Sequence, residues 1–208
     1  MKLIRPFGPI IAKVTMPKNI VDALNKYVDE IINNETKAKE LDYGKMLAGN
    51  VKQEFLLERD FSVLSGWENF LKENVEEWIL KSINKKVTQF DIIDSWIVRQ
   101  FENDYNPLHS HGGHISGVGY LKLPDDFGEP AQNTKSHNIN GNLQLVHGSN
   151  MFLSPITLDI KPKVGEFIFF PNYLMHTVYP FKNKNSERRS ISFNASIDDA
   201  IYNVYGKS

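Results

Sequence analysis

The sequence predicts an α+β fold in which two packing helices precede a double-sheet jelly roll. Three observations carry this. Helical periodicity dominates before residue 87. Seven short strand-like segments follow it, with no helical pattern between them. Clusters of Gly, Pro and Asn separate those segments. Strands without intervening helices pair antiparallel, and a second sheet is the common way to cover their apolar faces.

The first helix is expected from Pro17 to Asn33, where Ile20, Val21, Leu24, Tyr27, Val28, Ile31 and Ile32 recur at spacings of three and four. The second is expected from Ser65 to Ile83, with Trp67, Phe70, Leu71, Val75, Trp78, Ile79 and Ile83 on one face. Ser65 followed by Glu68 has the spacing of a capping box. Strands are expected at Ile92–Phe101, Ile115–Leu123, Asn142–His147, Ile156–Ile160, Glu166–Phe170, His176–Pro180 and Arg188–Ala195. The breaks between them include Pro124-Asp125-Asp126, Asn140-Gly141 and Pro162-Lys163-Val164-Gly165. The stretch from Asp125 to His137, with Gly128, Pro130, Gln132 and Asn133, reads as a mobile loop able to cover a site. No repeat or linker divides the 208 residues, so they read as a single domain. Residues 1–87 are its mainly helical support and 88–208 its jelly-roll core.

Composition narrows the function classes. Hydrophobic residues make up 41% and charged residues 24%, ordinary for a folded protein. A net charge of −1 gives no field to recruit nucleic acid or an acidic membrane. Cysteine is absent, which excludes disulfides, iron–sulfur clusters and thiol nucleophiles. Any metal must then be held by His, Asp or Glu. Met1-Lys2-Leu3-Ile4-Arg5-Pro6 lacks the apolar run of a signal peptide, and no stretch is long enough to cross a bilayer. A cytoplasmic location is the expectation. The helices are expected to back the barrel, with a homodimer interface as the other use of their aromatic residues.

The chemistry concentrates in Tyr105-Asn106-Pro107-Leu108-His109-Ser110-His111-Gly112-Gly113-His114, which holds three of the six histidines. Side chains alternate along a strand, so His109 and His111 point the same way. His176 follows the buried-strand run Phe167-Ile168-Phe169-Phe170-Pro171 and can complete a facial set of ligands from a second strand. His114 falls on the opposite face and reads as an outer or surface residue. His137 and His147 read as ordinary turn histidines. Three histidines do not name the metal: a catalytic zinc site can use three, whereas non-haem iron more often takes two and a carboxylate.

Arg188 supplies the second feature. In Arg188-Arg189-Ser190-Ile191-Ser192-Phe193-Asn194 the even positions share one face and Arg189, Ile191 and Phe193 the other. An arginine inside a barrel must be paired, and a bidentate carboxylate is its natural partner. Ser190 can add a hydrogen bond. The plainer alternative is a structural ion pair with Glu166 or Glu187.

Taken in order, His109-x-His111, Ser116-Gly117-Val118-Gly119-Tyr120-Leu121, Gly141-Asn142-Leu143, Gly165 to Pro171, His176 and Glu187-Arg188-x-Ser190 to Asn194 resemble a 2-oxoglutarate- and Fe(II)-dependent oxygenase. The chain is most similar to an oxygenase family of marine bacteria and their phages, over roughly Trp96 to Asn194. The resemblance implies a double-stranded β-helix (a cupin-like jelly roll), His109 and His176 as iron ligands, and Arg188 with Ser190 as the clamp on 2-oxoglutarate. The wider superfamily places Asp or Glu where His111 stands. His111 is then either the third ligand or marks a position left to water. A halide can fill such a position, which makes halogenation the outlying outcome.

The function expected is that of a dioxygenase using Fe(II), 2-oxoglutarate and O2 to hydroxylate a small-molecule or peptidyl substrate. Tyr120 and Trp96 are candidates to line the pocket, with core packing the plainer role for Trp96. Two alternatives use the same barrel. One is a zinc-dependent hydrolase or lyase, which needs a base that the histidine stretch does not supply. The other is a non-catalytic barrel that binds a metal or ligand.

Overall fold

The computed structural model describes residues 8–130, 132, 134 and 137–204. The expectations placed on Met1 to Pro6 and on Asn133 lie outside the described residues. Two antiparallel sheets form the body. The larger has six strands, in the order β1 (Ala12–Thr15), β8 (Glu166–Pro171), β5 (Ile115–Lys122), β10 (Arg188–Ile197), β3 (Phe90–Gln100) and β2 (Gln53–Leu56). The smaller has four, in the order β4 (Asn106–His109), β9 (Met175–Val178), β6 (Leu143–Val146) and β7 (Thr157–Ile160). Sheet neighbours pair across long sequence gaps, as in β8 beside β5 and β10 beside β3. This is the double-stranded β-helix.

Period-two alternation divides the core into two layers. Val118, Tyr120, Ile168 and Phe170 face inward, where they meet Leu143, Leu145 and Val178 of the smaller sheet. Phe167, Phe169, Ile191 and Phe193 face outward onto the helices. There α1 (Lys18–Ile32) contributes Ile20, Leu24, Tyr27 and Ile31, and α4 (Trp67–Ile83) contributes Trp67, Phe70, Leu71 and Val75. Trp67 and Phe70 stand edge-on to Phe167 at 5.4 and 5.9 Å between ring centroids, a favoured aromatic geometry. The helices thus serve as backing for the larger sheet.

Arg189 ties α1 to the sheet. Its Nη2 lies 2.8 Å from Asp29 and its Nε 2.9 Å from Glu187. Arg99 binds the same Glu187 at 2.6 Å. Burial alone would push the Glu187 carboxyl up, but the two guanidinium groups outweigh it and hold the carboxyl at about 2.

The structure departs from the sequence reading in three places. The first 87 residues are not only helical: β1 and β2 extend both edges of the larger sheet, and short helices stand at Glu35–Glu40 (α2) and Arg59–Leu64 (α3). Four-residue strands are too short for alternation to show. The capping box at Ser65 does not form. Ser65 closes α3 and its hydroxyl bonds back to Ser62 O, while Gly66, at φ 79°, starts α4 with no side-chain cap. The left-handed turn between α3 and α4 needs a glycine, and that requirement overrides the Ser–Glu spacing. Finally, the described part of the Asp125–His137 loop does not line the central cavity. Gly128 instead packs against Lys182, and Asn140 donates to the Gly128 carbonyl at 3.0 Å.

Candidate metal centre

The two sheets enclose a cavity of about 260 Å³. Its histidine end is built by the β4–β9 pair, where His109 stands directly opposite His176. Pro107 is tolerated because β4 is an edge strand. His111 lies just beyond β4 and is held by its backbone: its N–H donates to Asn172 O at 3.0 Å, and Asn172 Nδ2 donates to His111 O at 3.3 Å.

His109, His111 and His176 bring one ring nitrogen each to within 4.8 Å of one another. The tautomers are set from behind. His109 Nδ1 donates to Pro107 O at 2.7 Å and His176 Nδ1 to Leu174 O at 2.9 Å. The Nε2 of each is thereby the unprotonated nitrogen. His111 Nε2 sits 3.2 Å from His176 Nε2, a hydrogen bond in which His111 donates. Two imidazole nitrogens on one ion at about 2.1 Å stand roughly 3 Å apart, so the pair is already spaced for a shared metal. Burial, helped by the neighbouring histidines, lowers His111 to about 3 and His176 to about 4. Both rings are therefore neutral at pH 7: His176 offers its Nε2 as it stands, and His111 has first to give up the Nε2 proton it shares with His176, by a shift to Nδ1 or to solvent.

His114 stays outside the triad. Its Nδ1 bonds to the Ile197 backbone at 3.1 Å, its ring stacks on Tyr202, and it ties β5 to the end of β10. No other group of metal-ligating side chains occurs among the described residues.

Arg188 stands on the inner face of β10 and is 1% exposed. Its Nη1 donates to Gln100 Oε1 at 2.5 Å and to Ser190 Oγ at 3.2 Å. Its Nε and Nη2, and the hydroxyl of Tyr120, are buried and make no well-formed hydrogen bond. Against the cost of burial, the nearby Tyr120 hydroxyl favours the charge of the guanidinium. The guanidinium carbon lies 5.1 Å from the Tyr120 ring centroid. Neither acid suggested as its structural partner reaches it: Glu187 holds Arg99 and Arg189, and Glu166 holds Lys13 at 2.8 Å. An unpaired buried guanidinium costs several kcal/mol. Two parallel N–H groups beside a buried hydroxyl make a cradle for a carboxylate, the group that 2-oxoglutarate would place there.

Ser190, Ser192 and Asn194 share the cavity wall with Arg188, as the alternation predicts. Trp96 is both core and lining: it is 3% exposed, and its ring lies 5.5 Å from that of His111. Tyr120 is not on the wall but beneath Arg188. Some residues of the site escape sequence reading. Asp94 on the cavity wall and Gln100 beside Arg188 sit two residues to either side of Trp96 and Val98, so alternation along β3 could have found them. Glu54, on four-residue β2, gives no such signal.

The comparisons agree with this geometry. Residues 94–194 match the model of a family described as "Putative 2OG-Fe(II) oxygenase". No curated protein matches the chain. Among solved structures, a prolyl-4-hydroxylase from Pseudomonas putida is 14% identical, with a TM-score of 0.58 over 90% of this chain and 91% of its own. The viral collagen prolyl hydroxylase of Paramecium Bursaria Chlorella virus-1, solved as a 2OG complex, is 17% identical, with a TM-score of 0.57 over 89% and 96%. HygX from Streptomyces hygroscopicus, solved with nickel, 2-oxoglutarate and hygromycin B, is 11% identical, with a TM-score of 0.57 over 90% and 83%. At these identities the structures establish the fold. Over residues 94–194, which hold the three histidines, Arg188 and Ser190, the chain is similar in sequence to that family of 2-oxoglutarate- and Fe(II)-dependent oxygenases.

Proposed function

We propose that this protein is a hydroxylase using Fe(II), 2-oxoglutarate and O2, acting on a small-molecule or peptidyl substrate, with the chain working as one domain. The observation that carries the reading is the pairing, in one cavity, of three convergent histidines with an arginine whose Nε and Nη2 make no hydrogen bond to the protein. Solved relatives of the same fold hold the same pair of cofactors: HygX has been solved with iron and with 2-oxoglutarate.

His109, His111 and His176 would hold the iron through Nε2. Arg188, steadied by Gln100 and Ser190, would hold the far carboxylate of 2-oxoglutarate, with the Tyr120 hydroxyl as a further donor. When bound, the iron and cosubstrate convert 2-oxoglutarate, O2 and a C–H bond into succinate, carbon dioxide and an alcohol. The protein's own part is orientation and exclusion of water. The Nδ1–carbonyl bonds fix the rings of His109 and His176. Phe170, 4.8 Å from His176, and Trp96 keep that end dry. His111 supplies a nitrogen where the wider superfamily has a carboxylate, which favours hydroxylation over a halide-dependent outcome.

Metal-free protein given Fe(II) and 2-oxoglutarate without oxygen tests this. The reading predicts the weak visible charge-transfer band of the chelate, its loss in His176→Ala, and a higher 2-oxoglutarate requirement in Arg188→Ala. Absence of the band, with zinc retained through purification and supporting turnover, would transfer the site to a hydrolase.

A further inference from the structure

We propose that the same cavity carries an acidic subsite, formed by Glu54 and Asp94 beside Trp96, that binds the ammonium or guanidinium group of a cationic substrate. The inference rests on the oxygenase reading only in calling the bound cation a substrate. The acids and their environment stand independently of it.

The first observation is position. Glu54, Asp94 and Trp96 line the cavity that holds the histidines and Arg188. Arg188 pairs with Gln100 across the β10–β3 ladder, and Asn194 pairs with Asp94. Six residues of strand separate those two levels, about 20 Å at 3.3 Å per residue. Asp94 is therefore far from the arginine and does not balance its charge. Glu54 pairs with Val98, four residues along β3 from Asp94, so the two acids stand on either side of Trp96.

The second observation is that Glu54 is buried and unpartnered. It is 3% exposed. No donor or cation among the described residues bonds its carboxyl, and the charged group that acts on it is Asp42, of the same sign. Asp94 is only partly satisfied: Oδ2 accepts from the Tyr43 hydroxyl at 3.0 Å and Asn194 on the facing strand supports the carboxyl, but no cation meets it. The other buried acid among the described residues behaves differently, since Glu187 is ringed by Arg99, Arg189 and Lys122. An unpaired buried carboxylate is costly wherever it occurs. Here the two that lack cations both stand on the wall of the functional cavity.

The chemistry of the wall selects the ligand. Carboxylate oxygens accept and do not donate when ionised. Trp96 adds an aromatic face, which attracts cations. An anionic substrate would be repelled, and a neutral hydroxyl would satisfy one oxygen but leave the charge. Gly49 makes room for the arrangement: a Cβ there would fall 2.7 Å from Glu54 Oε1. Burial, with Asp42 second, raises Glu54 to about 7, so the subsite is fully charged only above neutrality.

The test uses protein loaded with Ni(II) and 2-oxoglutarate at pH 8, with n-butylammonium and its neutral counterpart 1-butanol as probes, followed by calorimetry and ligand-observed NMR. The ammonium is expected to bind at least about tenfold more tightly than the alcohol. Glu54→Gln and Asp94→Asn should each remove most of that preference. Gly49→Ala, which displaces the Glu54 carboxyl without removing it, should weaken ammonium binding as well, and decides the matter if Glu54→Gln fails to fold. Equal binding of the two probes, binding of neither, or an ammonium affinity unchanged in these variants would overturn the subsite. The 2-oxoglutarate affinity of the parent protein, measured in the same samples, separates the two ideas: bound 2-oxoglutarate without ammonium preference sinks the subsite alone, and absent 2-oxoglutarate binding sinks the cosubstrate assignment.

Discussion

Replacing Arg188 by methionine separates a functional arginine from a structural one. Methionine fills similar space without charge. In the ligand-free protein Arg188 makes only the two Nη1 bonds, to Gln100 and Ser190, and leaves Nε and Nη2 unpaired. Replacing a buried charge by a packed apolar side chain gains about 1–4 kcal/mol in favourable cases. Leaving Gln100 Oε1 without its donor returns about 1 kcal/mol of that. The net expectation is a cofactor-free protein as stable as the parent, or more stable by up to about 3 kcal/mol. Cosubstrate binding should move the other way. Loss of one partner of a buried charge pair costs about 2–5 kcal/mol, which is about 30-fold to several thousandfold in Kd. Urea denaturation gives the first quantity and anaerobic calorimetry with 2-oxoglutarate the second. An Arg188→Met protein destabilised by 3 kcal/mol or more, with a 2-oxoglutarate Kd within threefold of the parent, would refute the reasoning and make Arg188 a structural residue.

Three further outcomes follow from the same contacts. Glu187→Gln leaves Arg99 and Arg189 underpaired in a site where Glu187 is 9% exposed, and urea denaturation at pH 7 should show a loss of about 3–5 kcal/mol. Because the folded Glu187 carboxyl is depressed to about 2, its contribution is present above about pH 4.5 and is lost as pH falls from there towards 2; a parent protein whose acid midpoint is no different from that of Glu187→Gln would contradict this. His111 and His176 are lowered to about 3 and 4, so between those values and 6.5 the unfolded chain binds more protons than the folded one. The metal-free protein should then lose roughly 2 kcal/mol per histidine between pH 6.5 and 5, and a flat urea midpoint over that range would show the rings to be less buried than described.

How much of this the sequence reveals depends on the length of each element. The two long helices appear close to their expected bounds because six or more apolar residues at regular spacing outvote local noise, and all seven expected strands appear because turn residues bound each apolar run. The inner and outer faces of β10 were legible for the same reason: Arg188 and Ser190 face the cavity while Arg189 reaches Asp29 on α1. The His109, His111 and His176 cluster could be proposed because two members lie two residues apart in one extended segment, although β4 itself ends at His109. Their convergence depends on the β4–β9 register, which only the folded chain supplies. Glu54 was not legible at all. It lies on a strand of four residues at the sheet edge, far in sequence from the histidines, and joins them only through pairing of β2 with β3. The capping box failed because Ser65 and Glu68 are local signals, whereas the sharp exit from α3 required glycine at the next position.

The most direct test of the central claim is a crystal structure of the protein grown without oxygen with Fe(II) and 2-oxoglutarate, with anomalous data at the iron edge. The account predicts one iron peak about 2.0–2.2 Å from Nε2 of His109, His111 and His176, and a 2-oxoglutarate carboxylate on Nε and Nη2 of Arg188. An iron held by His109 and His176 with the His111 ring turned away, or a carboxylate bound elsewhere while Nε and Nη2 of Arg188 stay unpaired, would contradict it.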